Sequence, residues 1–370
     1  HSDLRRQRQM CIRDSSMRVV ILFSFLLIFS CAQPQTKLPE YSTVLTDKER
    51  DIQNQMFADS WLNTYIPFSA MGTDILFSAA DLCEEDDRIY SLGVNLGNEN
   101  SAYESIREEI NQSLGLGPKL KVVSLGSLSP AGKAGILAGD EILEIDGEKI
   151  KQGKDAFPSY IEKIDRKYRK LYDLKILRNS EIIDFQVRSE QRCRFDFVID
   201  LDNNTFNAFA NGDIMVFSLR MAKWLLMNET GAAIVFAHEL GHNANKHVAD
   251  KIENAQAGAL LGLLLGIYVG LPQDMMEVGQ SIGASAYSID YENEADYLSM
   301  YILQKAGYNL DDAVDFWRRF AVEVPNSIYS EGGTHPSTAE RYVRMEATIQ
   351  EIKNKIENNE PLIPSYEKAN

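Results

Sequence analysis

The run AAIVFAHELGHNANKH, residues 232–247, limits what this chain can become more than any other stretch. Its first half is small and apolar, which predicts a buried helix, yet His238, Glu239 and His242 sit on that same helix. Residues four apart on a helix project from nearly the same line, because each residue advances by about 100°. His238 and His242 therefore present two imidazoles to one point, as a tetrahedral zinc ion asks of two of its ligands. A buried imidazole pair with nothing to bind would be expensive to leave unsatisfied. Glu239 lies about 100° around from His238, beside the ion and not on it, where it can take the proton of an attacking water.

The chain has five histidines in 370 residues, and three of them fall within ten positions here. His247 stands five residues past His242, about 140° around a continuing helix, so it is expected to point away from the ion as a structural hydrogen-bonding residue. The longer pattern, in which a glycine breaks the helix and returns a third histidine to the metal, requires Gly at 245 and His at 248. The chain has Asn245 and Val248.

A third protein ligand must then come from elsewhere, leaving one position for water. The stretch SIDYENEADYLSMYIL, residues 288–303, offers Glu292 and Asp296, which are four apart and share a helical face. One of these carboxylates can bind the ion while the other accepts a hydrogen bond from a ligand imidazole and fixes its tautomer. Glu294 is about 200° away from Glu292 and has no part in this scheme.

Before this region the chain changes character twice. Met17-Arg18 is followed by VVILFSFLLIFS, an apolar run of secretory-signal length that ends at Ser30-Cys31 and is too short to span a bilayer comfortably. This resembles the lipobox of bacterial lipoproteins, which implies lipidation of Cys31, a membrane tether through a lipid anchor, and a place in the cell envelope on the periplasmic face of the outer membrane. Residues 1–30 then form a leader and signal peptide, of which 1–16 read as neither signal nor fold. Residues 31–87 hold a polar tether and an amphipathic support helix from Asp47 to about 82. With Cys11 and Cys31 set aside, Cys83 and Cys193 are an even pair in an oxidising compartment and are expected to form a disulfide. The net charge of −16 offers no basic stripe to neutralise phosphates, which argues against a nucleic-acid partner.

Residues 88–190 alternate as strands. KLKVVSLGSLSPAGKAGILAGDEILEIDGEKI, residues 119–150, reads as strand, small-residue turn, short helix and a second strand closed by Asp146-Gly147, and a hairpin follows around Asn179-Ser180. The segment SPAGKAGILAGDEILEIDG resembles a PDZ domain, which adds a peptide strand to its own edge and holds the terminal carboxylate on backbone N–H groups. The carboxylate loop is expected at Leu92-Gly93-Val94, with Leu114-Gly115-Leu116-Gly117 as the second choice.

Further along, FNAFANGDIMVF, HELGHNANKH, ENEAD, KAGYNLDDAVDFW and HPSTAER follow in order, and together they resemble a gluzincin-type M48 peptidase over about 191–345. The resemblance implies one Zn2+ per chain held by His238, His242 and Glu292, with Asp296 behind the ligands and Glu239 as catalytic base. It also implies a substrate edge strand at Asn207, Ala208, Phe209, Ala210, Asn211 and Gly212. His335 is expected either to stabilise the oxyanion or to occupy the open metal position, and Arg341 to hold a carboxylate. AGALLGLLLGIYVGL, residues 257–271, is short of a bilayer span and is expected to be buried or membrane-facing.

The fold expected is α+β: a mostly helical zincin domain over 191–350 with a small β-rich PDZ-like domain inserted near its N-terminus, and a C-terminal tail at 351–370. The function expected is zinc-dependent endoproteolysis of unfolded or misassembled envelope proteins. The competing expectation is a latent or weakly active peptidase serving mainly as a PDZ-based chaperone or adaptor.

Overall fold

The structure is a computed structural model that describes Thr36 and residues 39–203, 205–257, 288–329 and 336–365. Cys31, His335 and the apolar stretch after Ala257 lie outside the described residues. The chain divides into two compact units, residues 1–52 and 53–370. Of the first, the described part is an exposed segment with the opening turns of helix α1, Thr43–Ser78.

In the second unit α1 becomes a core element. Ala58, Trp61, Leu62, Phe68, Met71, Ile75 and Leu76 are buried at helical spacing, so one stripe of the helix faces inward. Both ends of α1 fall four residues earlier than the span from Asp47 to about 82 that the pattern predicts.

Two separate hydrophobic cores follow from two kinds of periodicity. The β-rich domain comprises β1 (Arg88–Ser91), β2 (Val94–Gly97), β3 (Lys121–Leu125), β4 (Glu141–Ile145), β5 (Glu148–Lys149), helix α2 (Ala156–Lys163), β6 (Leu171–Arg178), β7 (Glu181–Arg188) and β8 (Glu190–Cys193). Its main sheet runs in the order β2-β3-β4-β6-β7, with β5 paired to β4. Alternation along β6 buries Tyr172, Leu174 and Ile176 on one face, where they meet Val122, Ile142 and Val187. Asn179 and Ser180 both have positive φ, as do Asp146 and Gly147, the backbone that tight two-residue hairpins require. The hairpin at Asn179-Ser180 stands where the sequence pattern puts it, and Asp146-Gly147 closes β4 as expected.

The β-rich domain is closed off from the rest by its own entry and exit strands. β1 pairs antiparallel with β8, Arg88 opposite Cys193 and Ser91 opposite Glu190. Beyond that ribbon Cys83 and Cys193 form a disulfide with a Cα–Cα distance of 5.8 Å, and Arg194 Nε meets Asp87 Oδ1 at 2.6 Å.

The helical domain begins with a three-stranded sheet, β9 (Asp196–Asp200), β10 (Ala208–Ala210) and β11 (Ile214–Ser218), in the order β10-β11-β9. Among its helices are α3 (Glu229–Ala244), α4 (Ser288–Lys305), α5 (Leu310–Glu323) and α6 (Thr338–Glu357). Phe236 of α3 lies in an aromatic cluster with Phe68 of α1, Phe197 of β9 and Phe217 of β11, at ring-centroid distances from 4.8 to 6.1 Å. That cluster fixes the α3 helix two residues before its first histidine. The tail expected at 351–370 is corrected by α6, which runs unbroken through Glu357. The chain then folds back until the Ser365 amide donates to Tyr297 Oη at 2.8 Å. Among the described residues no helix is long and apolar enough to cross a membrane.

The disulfide closes a segment of 110 residues, so its removal releases a long loop of the unfolded chain from constraint. Replacing Cys83 and Cys193 together by Ser is expected to lower unfolding free energy by ~2–4 kcal/mol. Thermal melts of the two chains measure this, and equal melting temperatures with both wild-type thiols alkylatable before reduction would contradict it.

Candidate metal centre

Helices α3 and α4 approach each other at a glycine. A Cβ built on Gly241 would stand 3.2 Å from both Cα and O of Ala295, so only the missing side chain permits this approach. Glu292, three residues before Ala295 on α4, is thereby brought onto the two histidines of α3. His238 Nε2 and His242 Nε2 lie 3.2 Å apart, and the Glu292 carboxylate oxygens stand 3.2 Å from the first and 3.4 Å from the second. A tetrahedron with metal–ligand bonds of about 2.0–2.1 Å has edges of roughly 3.3–3.4 Å. The three donor groups are thus spaced as a metal ion would need them, and all are buried.

Each ligand's far nitrogen is held. His238 Nδ1 is 2.8 Å from Asp296 Oδ1, and Asp296 takes a bidentate pair from Arg341, Nε at 2.7 Å and Nη2 at 2.5 Å. Arg341 stacks over Trp317 at 3.4 Å from the ring centroid, and the Ser337–Glu340 capping box starts α6 one turn earlier. Arg341 Nη2 also lies 3.2 Å from His238 Nδ1, but that nitrogen's proton is directed to Asp296, so the contact is one of proximity. Burial pushes the Asp296 carboxyl up, and the charges of Arg341 and His238 outweigh it, holding Asp296 below its ordinary value. Burial and Arg341 both pull His238 down, but the carboxylates of Asp296 and Glu292 prevail and raise it to about 9. His242 is lowered to about 4, chiefly by burial.

His247 is where the helical extrapolation fails. α3 ends at Ala244, Asn245 closes it, and Lys246 adopts a left-handed conformation with φ of 59°. The next helical segment, residues 247–257, therefore starts in a new direction and turns His247 back toward His242. His247 is buried, its Nδ1 3.0 Å from His242 Nδ1 and its Nε2 3.3 Å from Glu294 Oε2, with its ring stacked on Tyr291 at 4.7 Å. It is a hydrogen-bonding residue, as expected, but its partner is His242, one of the three candidate ligands. Glu294, set aside on the helical wheel, holds the outer end and is kept below the ordinary carboxylate range first by that hydrogen bond.

Glu239 and His238 line a cavity of about 370 Å³ together with Phe206, Asn207, Ala208, Trp317 and Arg341. Strand β10 is an edge of its sheet, and its neighbours Asn207 and Asn211-Gly212 flank it. The Asn207 carbonyl accepts from Ser218 N–H at 3.0 Å, and the Gly212 amide donates to Asn243 Oδ1 at 2.8 Å, which ties the far end of this edge to α3. Gly212 has φ of 100°, a backbone that suits glycine. Phe209 points outward, 42% exposed. The contributions of Asn243 and Gly241 were not read from sequence, since both fall at unspecified positions of the motif.

In the β-rich domain β2 is likewise an edge strand, and Leu96, Asn98, Gly153, Lys154 and Phe157 line a cavity of about 400 Å³ between it and α2. Of the expected carboxylate loop, Leu92 is buried with its carbonyl accepting from Ala131 N–H, and the Gly93 amide donates to Ser91 Oγ at 3.1 Å. Gly93 lies under Phe77 and Ser129.

Residues 176–349 match the family model described as Peptidase family M48, and residues 91–188 match that of the PDZ domain. Where the two overlap, residues 176–188 belong to the β6–β7 hairpin of the β-rich sheet. The chain is 25% identical over 210 residues to the mitochondrial metalloendopeptidase OMA1 of Schizosaccharomyces pombe, covering 54% of this chain and spanning 60% of the relative's length. Similar solved structures include the HtrA3 PDZ domain bound to a phage-derived ligand, at 14% identity over 28% of this chain and 88% of that chain, TM-score 0.21. The HtrA-type protease AlgW with a decapeptide is 24% identical over 28% of this chain and 30% of that chain, TM-score 0.23.

If the Gly241–Ala295 contact places Glu292, then Gly241→Val forces the helices apart at a cost of about 1–3 kcal/mol and weakens zinc binding roughly tenfold or more. Chelator competition on the folded variant measures it, and unchanged affinity would show that Glu292 is placed by something else.

Proposed function

We propose that this chain, which joins a PDZ domain to a peptidase family M48 domain, is a zinc-dependent endopeptidase acting on unfolded or misassembled proteins of a cell envelope. The observation that carries the reading is a convergence. Two imidazoles and a carboxylate meet at tetrahedral spacing, and the cavity beside them is shared by Glu239 and by Ala208 of β10, the edge strand of its sheet among the described residues. Two nitrogens and one carboxylate oxygen are a donor set that zinc accepts while leaving a position for water. When bound there, zinc would polarise the scissile carbonyl and make water a nucleophile near neutral pH.

The rest of the chemistry belongs to the chain's own residues. The substrate backbone lies extended along Ala208–Ala210, pairing with the free edge of β10. Glu239 takes a proton from the attacking water and delivers it to the leaving amine. Asp296, held by Arg341, keeps His238 oriented through its Nδ1 proton. His335 is proposed to face the developing oxyanion or the open metal position. In the PDZ domain the β2 edge and its neighbouring cavity offer a second place for an extended segment, suited to recruiting a substrate or restraining its access. Cys31 is proposed as a lipid anchor on the strength of the apolar run that precedes it.

Comparing wild type with Glu239→Gln on unfolded casein tests the enzyme against the adaptor. The peptidase reading expects cleavage to fall about 10²–10⁴-fold while zinc is retained. Equal turnover by both chains would overturn it, and casein binding by both chains without cleavage by either would favour the adaptor. Glu292→Ala is expected to release zinc from a chain that stays folded, and full retention would reject the ligand set.

A further inference from the structure

We infer that the face of the helical domain around Met227 and Val322 docks on an anionic lipid surface. The contact is made by the folded domain itself, separate from any anchor at Cys31, and it rests on neither the metal ligands nor the peptidase chemistry.

Two large apolar side chains protrude from the ends of two different elements at this face. Met227 follows the short helix Leu219–Leu225 and is 75% exposed, and Val322 lies in the last turn of α5 and is 80% exposed. Both line one cavity of about 280 Å³, whose walls also include Trp224, Leu225, Phe316 and Arg319. Single apolar residues scattered over a surface need no explanation, but two protruding ones that share an apolar hollow make a contiguous patch, the mark of a contact surface.

The charges around the patch indicate what covers it. Arg220, Lys223 and Arg319 have no ion pair among the described residues, in a chain whose net charge is −16. Arg220 lies over the Phe206 ring at 5.7 Å and Lys223 over Phe57 at 5.9 Å, so both cations rest on aromatic rings and not on carboxylates. Phe206 in turn meets Trp224 at 5.2 Å, which joins Arg220 to the patch. Glu323 is the acidic residue of the lining, against three cations nearby. Long cationic side chains laid on apolar surface can reach lipid phosphates while the groups beside them enter the headgroup layer. Tryptophan suits the same boundary, since its ring is apolar and its N–H polar.

An anionic bilayer repels most of an acidic protein's surface, so one cationic apolar face selects the orientation of approach. The apolar run of residues 19–30, with Cys31 after it, gives the chain its own reason to be at a bilayer. Phe206 and Phe320 pack on Trp224 at 5.2 and 6.0 Å and also line the cavity of Glu239. One aromatic layer therefore separates the docking face from that cavity.

The test uses the full chain with Cys11→Ser and Cys31→Ser, which removes lipidation and the free thiols but leaves the Cys83–Cys193 disulfide. An environment-sensitive dye is placed at Met227→Cys or, as a control on β7 of the other domain, at Ile182→Cys, a site 62% exposed. With vesicles of equal parts phosphatidylcholine and phosphatidylglycerol, emission at 227 should shift to the blue and emission at 182 should not. Vesicles of phosphatidylcholine alone, into which the apolar run can still insert, should give a much smaller shift at 227. Replacing Arg220, Lys223 and Arg319 together by Gln should lower the docked-to-undocked ratio on the order of 100-fold, about fivefold for each lost cation. Val322→Asp, on the other element, should suppress the shift as well. Emission at 227 that is the same with and without anionic vesicles would overturn the inference, as would an equal shift at 182 or a shift indifferent to the three cations. A shift at 227 that appears without vesicles and grows with protein concentration would assign the face to a second copy of the chain, and would overturn it too.

Discussion

Seven ionisable side chains, His238, Glu239, His242, His247, Glu292, Asp296 and Arg341, are buried within one region of the helical domain. Removing such groups from water costs several kcal/mol apiece unless each finds a partner of opposite character. The fold around them is arranged to supply those partners. Arg341 neutralises Asp296, Asp296 accepts from His238, and His247 stands between His242 and Glu294. Glu292 stands between two imidazole nitrogens, with the Lys251 ammonium 3.8 Å from its Oε1. A divalent cation at that point satisfies all three donors at once. Metal binding and folding stability are coupled here in the sense that the same charges that would penalise the core become its organising interaction.

This arrangement explains why some of the site was legible and some was not. The pairs His238/His242 and Glu292/Asp296 could be read because helical spacing alone puts each pair on one face, and α3 and α4 are regular where those residues lie. His247 could not be placed, because the reading extended the helix through Asn245 and Lys246. Neither residue is a glycine, yet Lys246 takes the left-handed conformation that ends the turn. Three histidines in ten positions was the signal available, and only the direction of the next segment could convert it into a contact. Arg341 stands 45 residues from Asp296 on a different helix, and no periodicity reaches across that distance. It was named from a family motif, not from the physics of the sequence.

The β-rich domain was legible for a different reason. Its turns are written in the sequence by Asp146-Gly147 and Asn179-Ser180, and its strands alternate cleanly. The relation of that domain to the helical one was not written anywhere local. It depends on α1, which serves both halves with different faces. Phe68 of α1 enters the aromatic cluster around Phe236, while Asp74, two turns on, accepts from the Ser127 and Leu128 amides of the β-rich domain at 3.0 and 2.7 Å. Thr73 Oγ1 accepts from Asn95 Nδ2 at 3.1 Å, which ties the helix to β2 itself.

That bonding bears on how the two halves can cooperate. A peptide-binding domain on a flexible tether raises the local concentration of its ligand at a neighbouring site whatever its orientation. Here the connection is a paired ribbon, a disulfide, the Asp87–Arg194 ion pair and a shared helix, so the freedom that would average over orientations is largely removed. The same helix also crosses the loop before β2, since Gly93 could carry no side chain without striking Phe77. A ligand that needed this loop to open would have to displace α1 locally, and α1 is continuous with the packing behind Phe236 and hence behind His238. The β-rich and helical domains are therefore joined through one helix, which packs against both the loop before β2 and the aromatic cluster behind α3.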